Sequence, residues 1–245
     1  MNPALADILT RPDVWRGEAL AVAPLPALAS GFAELDTELP GGGWPRGQLT
    51  ELLYEHPGIG ETALLLPALA RVTALGGVAM MIADTNGRLQ FHAPSWAAAG
   101  VRLEYVFWVR SMQPADALRA AVDSLRCPGV ALTVLWATQM TQRTLRGGDV
   151  LRRLHVAAGE GGGAAFMYRH ARDAGQASPA PLRLQLTPCG DVLQVDLLKR
   201  RGAPLRRPLR LSIPRPALIR RAEFPRHVLD FDHSRAIGTA EPVLA

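Results

Sequence analysis

Residues 49–62 read LTELLYEHPGIGET, an apolar run followed by a Gly-rich loop and the start of a helical pattern. The run Leu49–Tyr54 predicts a short buried strand, and Gly58–Gly60 predicts a tight loop. The spacing over Glu61–Leu75 predicts a helix, which Pro67 would strain or kink. A strand, a Gly-rich loop and a helix N-terminus form the arrangement that binds phosphates through backbone N–H groups. This unit therefore indicates both the fold class and a first candidate site.

Strand-like and helix-like segments alternate beyond this unit. Continuous apolar runs predict strands at Val78–Ile82, Tyr105–Val109, Val130–Trp136 and Ala164–Tyr168. Helical spacing predicts helices at Pro94–Ala99, Pro114–Arg126 and Arg143–Ala158. Strands that alternate with helices are typical of a parallel sheet covered on both faces.

The pattern changes after Tyr168. Residues 169–181 are polar and contain Gly and Pro, which predicts a mobile loop. Short strands joined by tight turns are predicted at Leu182–Leu186, Val192–Leu198 and Pro208–Ile213. The expected fold class is therefore α/β: a three-layer domain with a mainly parallel sheet, an antiparallel C-terminal extension and a basic tail.

Composition divides the chain into three parts. Its 245 residues, 48% of them hydrophobic, suffice for one domain with extensions. We expect an N-terminal arm at 1–30, a core at 31–213 and a Pro- and Arg-rich tail at 214–245. No apolar run could span a membrane, and the N-terminus lacks the pattern of a secretory signal. Cys127 and Cys189 have no metal-ligand spacing, which favours a reducing cytoplasm.

Positive charge is concentrated near the C-terminus. The segment Lys199–Arg226 holds ten basic residues and one acid, a net +9, which leaves −4 for the rest of a chain whose total is +5. Such asymmetry favours an anionic partner at that end, although a solvated face is the alternative. The candidate residues for binding a partner or nucleic acid are Lys199, Arg200, Arg201, Arg206 and Arg207.

The candidate phosphate loop departs from a working one. A nucleotide-hydrolysing loop needs a lysine that reaches the β- and γ-phosphates and a hydroxyl on Mg²⁺. Thr62 supplies the hydroxyl, but Glu61 stands at the lysine position and Glu55 at the first glycine position, while Gly58 and Gly60 remain. A glutamate beside a triphosphate costs several kcal/mol, on the order of a thousandfold in affinity. The loop is therefore predicted to be degenerate.

The other parts of a nucleotide site are missing too. Lys199 is the only lysine in the chain, so no lysine before it can replace the lost one. The run Val130–Leu135 should end in a metal-binding aspartate, but it ends in Trp136. The histidines show no metal-ligand spacing either. We therefore expect no ATP hydrolysis, no cofactor and no metal.

The residues around the loop carry a family resemblance. Residues 39–52, LPGGGWPRGQLTEL, resemble the start of the RecA core. From about Val14 to about Pro216 the chain is similar to the ImuA proteins, accessory factors of bacterial translesion synthesis. The stretches that carry this likeness are Val14–Gly17, Leu39–Gly47, Pro57–Glu61, Ser178–Pro179 and Leu198–Gly202. The resemblance implies a RecA-like fold.

The resemblance also implies partners and residue roles. It implies a DNA-damage-induced complex containing an inactive Y-family polymerase homologue of the ImuB type and an error-prone replicative-type polymerase, with RecA and DNA as further candidates. Lys199 and Arg201 fall near RecA lysines that reach nucleotide across a subunit interface. Residues 169–181 fall where RecA has a DNA-contacting loop. Residues 84–86, where RecA has its catalytic glutamate, hold one acid, Asp84.

Two other functions stay open from the sequence. The expected function is a non-catalytic adaptor of an SOS-induced translesion complex, in the cytoplasm and at the nucleoid when assembled. A SulA-like cell-division inhibitor, which binds a tubulin-like protein, shares the reduced RecA-like core. A cryptic nucleotidase is a third, which Glu61 argues against.

Overall fold

Helices cover both faces of an eight-stranded sheet in a computed structural model that describes residues 26–84, 92–111, 113–138, 140, 149–205 and 207–213. The sheet strands are β3 Leu49–Tyr54, β4 Val78–Asp84, β5 Val106–Ser111, β6 Val130–Trp136, β7 Ala164–His170, β8 Leu182–Cys189, β9 Val192–Lys199 and β10 Leu209–Leu211. A separate pair is β1 Ala27–Leu28 with β2 Trp44–Pro45. The helices are α1 Ala33–Glu38, α2 Leu66–Ala74, α3 Ala93–Ala98, α4 Pro114–Arg126 and α5 Asp149–Gly161, with 3₁₀ turns at Leu103–Tyr105 and Ala171–Asp173.

The sheet has the order β10-β9-β8-β3-β7-β6-β4-β5. The six strands β3 to β8 run parallel, while β9 and β10 complete the sheet in antiparallel pairs. This confirms an α/β fold with a mostly parallel sheet and an antiparallel C-terminal part. β3 lies between β7 and β8, and all six of its residues are buried, as a strand covered on both faces requires.

Two apolar cores separate the sheet from its helices. On one face, Leu35 of α1, Leu69 of α2 and Trp96 of α3 pack against the sheet. On the other, Ala121 of α4 and Leu154 of α5 do so. The domain is therefore consistent with three layers.

The helix predicted from Glu61 begins later, at Leu66, and residues 61–65 form turns. Pro67 lies in the first turn of α2, where its missing N–H would have no partner in any case. The kink expected at Pro67 is therefore wrong. The short helix α1 was not expected from the sequence at all.

Several predicted segments differ at their ends or lie outside the described residues. Residues 26–30 belong to the domain: β1 pairs with β2, and Ser30 N–H donates to Asp36 Oδ1 at 2.9 Å. Arg169 and His170 complete β7 rather than opening a loop. Outside the described residues lie the first 25 residues of the predicted arm, Arg206, positions 85–86, the first residues of the helix predicted from Arg143, and the tail 214–245.

Candidate functional site

The Gly-rich loop follows β3 at the carboxyl edge of the parallel strands, near the middle of the sheet. Open α/β sheets bind their ligands at this edge. Gly58 and Gly60 have φ angles of +89° and +95°, a backbone region that disfavours residues with a Cβ. The predicted loop glycines are thus required by the backbone, in the kind of turn whose successive N–H groups can bind an anion.

The anion in this loop is the carboxylate of Glu61. Gly58 N–H donates to both Glu61 oxygens at 3.1 Å, and Ile59 N–H donates to Oε2 at 3.0 Å. Only 5% of Glu61 is exposed. Hydrogen bonds from backbone N–H groups to a carboxylate are charge-assisted and stronger than neutral ones. The sequence indicated a charge that repels phosphate; the structure also shows this charge bound by N–H groups of the loop itself.

A row of aromatic side chains lies beside this loop. The Tyr168 hydroxyl donates to the Glu61 carbonyl oxygen at 2.6 Å. Tyr54 meets Tyr168 edge-on with ring centroids 5.6 Å apart, and Trp136 stacks on Tyr168 at 5.2 Å. Trp136 is buried at the position where a nucleotide-hydrolysing site would have its metal-binding aspartate, so packed rings occupy this position. Sequence reasoning missed both tyrosines.

The two phenols are held in their neutral form. Burial raises the pKa of Tyr54 to about 12, and the Glu61 carboxylate adds to that effect. Burial also raises the pKa of Tyr168 well above its ordinary value, with contributions from Glu61 and Tyr54. Tyr168 therefore remains a hydrogen-bond donor to the loop at any physiological pH.

The remaining predicted loop residues make weaker contributions. Thr62 is half-buried, and its carbonyl accepts from Leu65 N–H at 3.0 Å. Glu55 is exposed, and its Oε1 lies 3.8 Å from His56 Nε2, a contact that solvent screens. The structure thus brings Gly58, Glu61 and Thr62 into one loop and leaves Glu55 at the surface.

A second cluster of charges is buried under the connection from β7 to β8. Glu51 of β3 is fully buried, and its Oε2 accepts from Arg169 Nη1 at 3.2 Å and from Arg183 Nε at 2.8 Å. Ser178 of the connection also donates to Glu51. The Arg169 Nη2 atom lies 3.3 Å from Asp173 Oδ2, so two arginines and two carboxylates balance in charge.

The same cluster fixes the connection to the sheet. Gln176 bridges Arg169 and Asp173, with distances of 2.8 and 2.7 Å. Arg183 donates to the carbonyl oxygens of Asp173, Ala174 and Gln176 at 3.0–3.1 Å. A segment bonded in this way is not the mobile loop that its composition predicts. Arg169 is only 1% exposed, so its guanidinium is not available to DNA.

The basic segment follows β9 at the end of the sheet opposite the Gly-rich loop. In the strand register, Lys199 lies opposite Arg183 of β8, and Arg183 lies opposite Glu51 of β3. The end of β9 is therefore level with the amino-terminal half of β3. The Gly-rich loop follows the carboxyl end of β3. Lys199 and Arg201 therefore do not reach the loop of their own chain.

The basic residues differ in their contacts. Arg200 is mostly buried: its Nη1 donates to the Glu38 carboxylate at 2.7 Å and to the Glu38 carbonyl at 2.6 Å. Lys199 is exposed and donates to the Ser178 carbonyl at 2.9 Å. Arg201 and Arg207 are exposed, and within the described part of the chain neither forms an ion pair. Of the described candidates, Lys199, Arg201 and Arg207 are exposed, whereas Arg200 is engaged by α1.

The described residues include no group of three or more His, Cys, Asp or Glu side chains that could hold a metal ion. None of the described helices has the length and apolar character needed to cross a membrane. A comparison with models of known protein families finds no match, and no curated protein is significantly similar to the chain.

Proposed function

We propose that this protein is a non-catalytic adaptor of an error-prone translesion DNA synthesis complex that forms after DNA damage. The observation that carries the proposal is the Glu61 carboxylate bound to Gly58 and Ile59 N–H. The two N–H groups that hold Glu61 are not free to bind a triphosphate, and the Glu61 carboxylate repels one. A nucleotide-binding domain whose loop is blocked in this way can still act through a surface that binds partners.

The architecture supports a RecA-like origin of this domain. A buried central strand leads into a Gly-rich loop and a helix, and the parallel sheet ends in an antiparallel pair. Together with the resemblance of residues 39–52 to the start of the RecA core, this arrangement is the one expected of a RecA-like fold that has lost its chemistry.

The proposed partners follow from the resemblance to the ImuA proteins. They are an inactive Y-family polymerase homologue of the ImuB type and an error-prone replicative-type polymerase, with RecA and DNA as further candidates. Exposed Lys199, Arg201 and Arg207 are the described basic residues available for an acidic partner surface or a phosphate backbone. In such a complex the protein would associate with the nucleoid.

The deciding experiment is capture of the polymerase homologue encoded in the same genome. The tagged full-length chain should retain it in the presence and absence of ATP and Mg²⁺. Phosphate release should match a protein-free control, with and without single-stranded DNA. An Arg201→Glu/Arg207→Glu variant should capture less partner, whereas Arg71→Glu, an exposed charge on α2, serves as the control.

The same experiment separates the adaptor from its alternatives. Failure to capture the homologue, together with inhibition of a tubulin-like division protein, would favour the SulA-like function. Reproducible ATP turnover that Thr62→Ala abolishes would favour a cryptic nucleotidase.

A further inference from the structure

The helices α4 and α5 converge at their carboxyl ends. A Cβ atom on Gly161 would lie 1.9 Å from the Leu125 carbonyl oxygen, so only glycine permits this approach. Arg126 and Glu160 add an ion pair of 2.7 Å at the same end. Because the carboxyl ends are held together, the opening between the helices lies at their amino-terminal halves.

That opening is a groove with a volume of about 260 Å³. Its floor and walls are aliphatic and are formed by Leu118, Val122, Val150 and Leu154. An apolar floor offers water in this groove few hydrogen bonds. Apolar surface of this kind favours an aliphatic side chain over solvent.

Two arginines stand at the rim of the groove. Arg119 of α4 and Arg153 of α5 both line it, and both are exposed. Among the described residues neither guanidinium forms an ion pair, in contrast to Arg126 further along α4. The acids Asp116 and Asp149 are exposed in the first turns of α4 and α5 and do not line the groove.

We propose that the groove between α4 and α5 is a docking site for an acidic peptide segment of a partner protein, with an aliphatic side chain in the groove and carboxylates on Arg119 and Arg153. The guanidinium fork matches a carboxylate in two parallel hydrogen bonds. One arginine on each helix requires two carboxylates, one on each side of the aliphatic side chain. A nucleic-acid backbone supplies anions but no group for the aliphatic floor, so the chemistry favours a peptide.

The proposal is tested with a fluorescent peptide of about 12 residues made of Glu, Leu and Gly, in which Leu residues are flanked by Glu. The full-length protein should bind it, and Arg119→Glu/Arg153→Glu should weaken binding about tenfold or more, with a smaller difference at high salt. Arg152→Glu is the matched control, since Arg152 is exposed on the same helix but does not line the groove. It should change the affinity less than about twofold.

A steric variant and methyl spectra complete the test. Ala115 is exposed at the rim, so Ala115→Trp should fill the opening, abolish binding and leave the melting temperature unchanged. Peptide-induced shifts should be confined to methyl groups of Leu118, Val122, Val150 and Leu154. A peptide with Gln for Glu, or Ser for Leu, should bind much more weakly.

Three results would overturn the proposal: no binding to the parent protein, equal binding to the groove variants, or binding of oligo-dT at the groove in place of the peptide. The inference does not rest on the translesion role. If the chain binds the peptide but captures no polymerase homologue, the translesion role is contradicted and the peptide-binding groove is supported.

Discussion

The Gly-rich loop and the β7–β8 connection each bury a carboxylate, but they give it different partners. Glu61 is bound by backbone N–H groups at the edge of the sheet, whereas Glu51 is bound by two arginine side chains and Ser178 inside the domain. If Glu61 is removed, neutral donors remain, and an anion from solution can replace it. If Glu51 is removed, Arg169 and Arg183 stay buried with Asp173 as the remaining carboxylate, and the excess positive charge has no route for a replacement anion. Removal of Glu61 and removal of Glu51 should therefore differ in how far they lower the stability of the fold and in whether an anion from solution can restore it.

The largest effect is expected from Glu51→Gln. Removing one partner of a buried ion cluster leaves uncompensated charge, and the free energy of unfolding should fall by about 3–5 kcal/mol. Chemical denaturation monitored by circular dichroism measures this. Glu55→Gln is the control, because Glu55 is exposed directly after the same strand and should change stability very little. A loss under about 1 kcal/mol for Glu51→Gln would mean that the arginines find other partners.

A smaller and recoverable effect is expected from Glu61→Ala. The loss of the carboxylate exchanges the charge-assisted hydrogen bonds of Gly58 and Ile59 N–H for bonds to water, which should lower the free energy of unfolding by about 1.5–3 kcal/mol. Sulfate or phosphate should restore part of this stability in excess of its effect on the parent protein, since it can occupy the vacated loop. Thermal melting in matched ionic strength with chloride is the measurement. Equal sulfate effects on both proteins would show that the loop is not an anion site.

Arg200→Ala should cost about 1 kcal/mol of stability, because its ion pair with Glu38 is only partly shielded from solvent. Arg201→Ala should cost nothing measurable, since Arg201 is exposed and unpaired within the described residues. Thermal melts of the two variants compare an arginine that forms an ion pair within the fold with an exposed arginine that forms none among the described residues. Equal melting temperatures would show that the contact with α1 contributes nothing.

The smallest effect is a pH dependence from Tyr54. Its pKa is about 12 in the folded protein and about 10 when unfolded, so the unfolded chain loses its proton first as pH rises. The contribution of Tyr54 to stability is therefore fully present below pH 10 and is lost between about pH 10 and 12, amounting to under about 1 kcal/mol at pH 10.5. Tyr54→Phe should flatten this part of the stability profile, as measured by denaturation at several pH values. An unchanged slope would show that Tyr54 ionises as freely when folded.

The sequence predicted the regular elements well because their signals are local. The apolar runs at Leu49–Tyr54 and Val130–Trp136 and the helical spacing over Pro114–Arg126 match the observed elements residue for residue. Each is buried along a continuous run or one face, which is the pattern that periodicity detects. The α1 helix was missed because its six residues, AELDTE, have too few apolar positions to show a period.

The sequence predicted where the candidate site lies in the chain, but it did not predict which side chains contact one another there. The composition of residues 169–181 predicted a mobile loop, yet Arg169 and Asp173 are buried because they form ion pairs with each other and, through Arg169, with Glu51, which also binds Arg183. Such pairing joins residues more than one hundred positions apart, and no local pattern reports it. The bonds of Glu61 to its own loop join residues two and three positions apart, but they depend on the backbone conformation of the loop, which the residue types alone did not reveal.

The self-bound loop has a consequence for time. A domain that must take up and hydrolyse a ligand alternates between two states, and the lifetime of its complexes follows the hydrolysis rate. In the adaptor that we propose, the anion belongs to the chain, so the domain has one state and no hydrolysis rate that sets a lifetime. A complex of such an adaptor should persist until its parts dissociate, are diluted or are degraded.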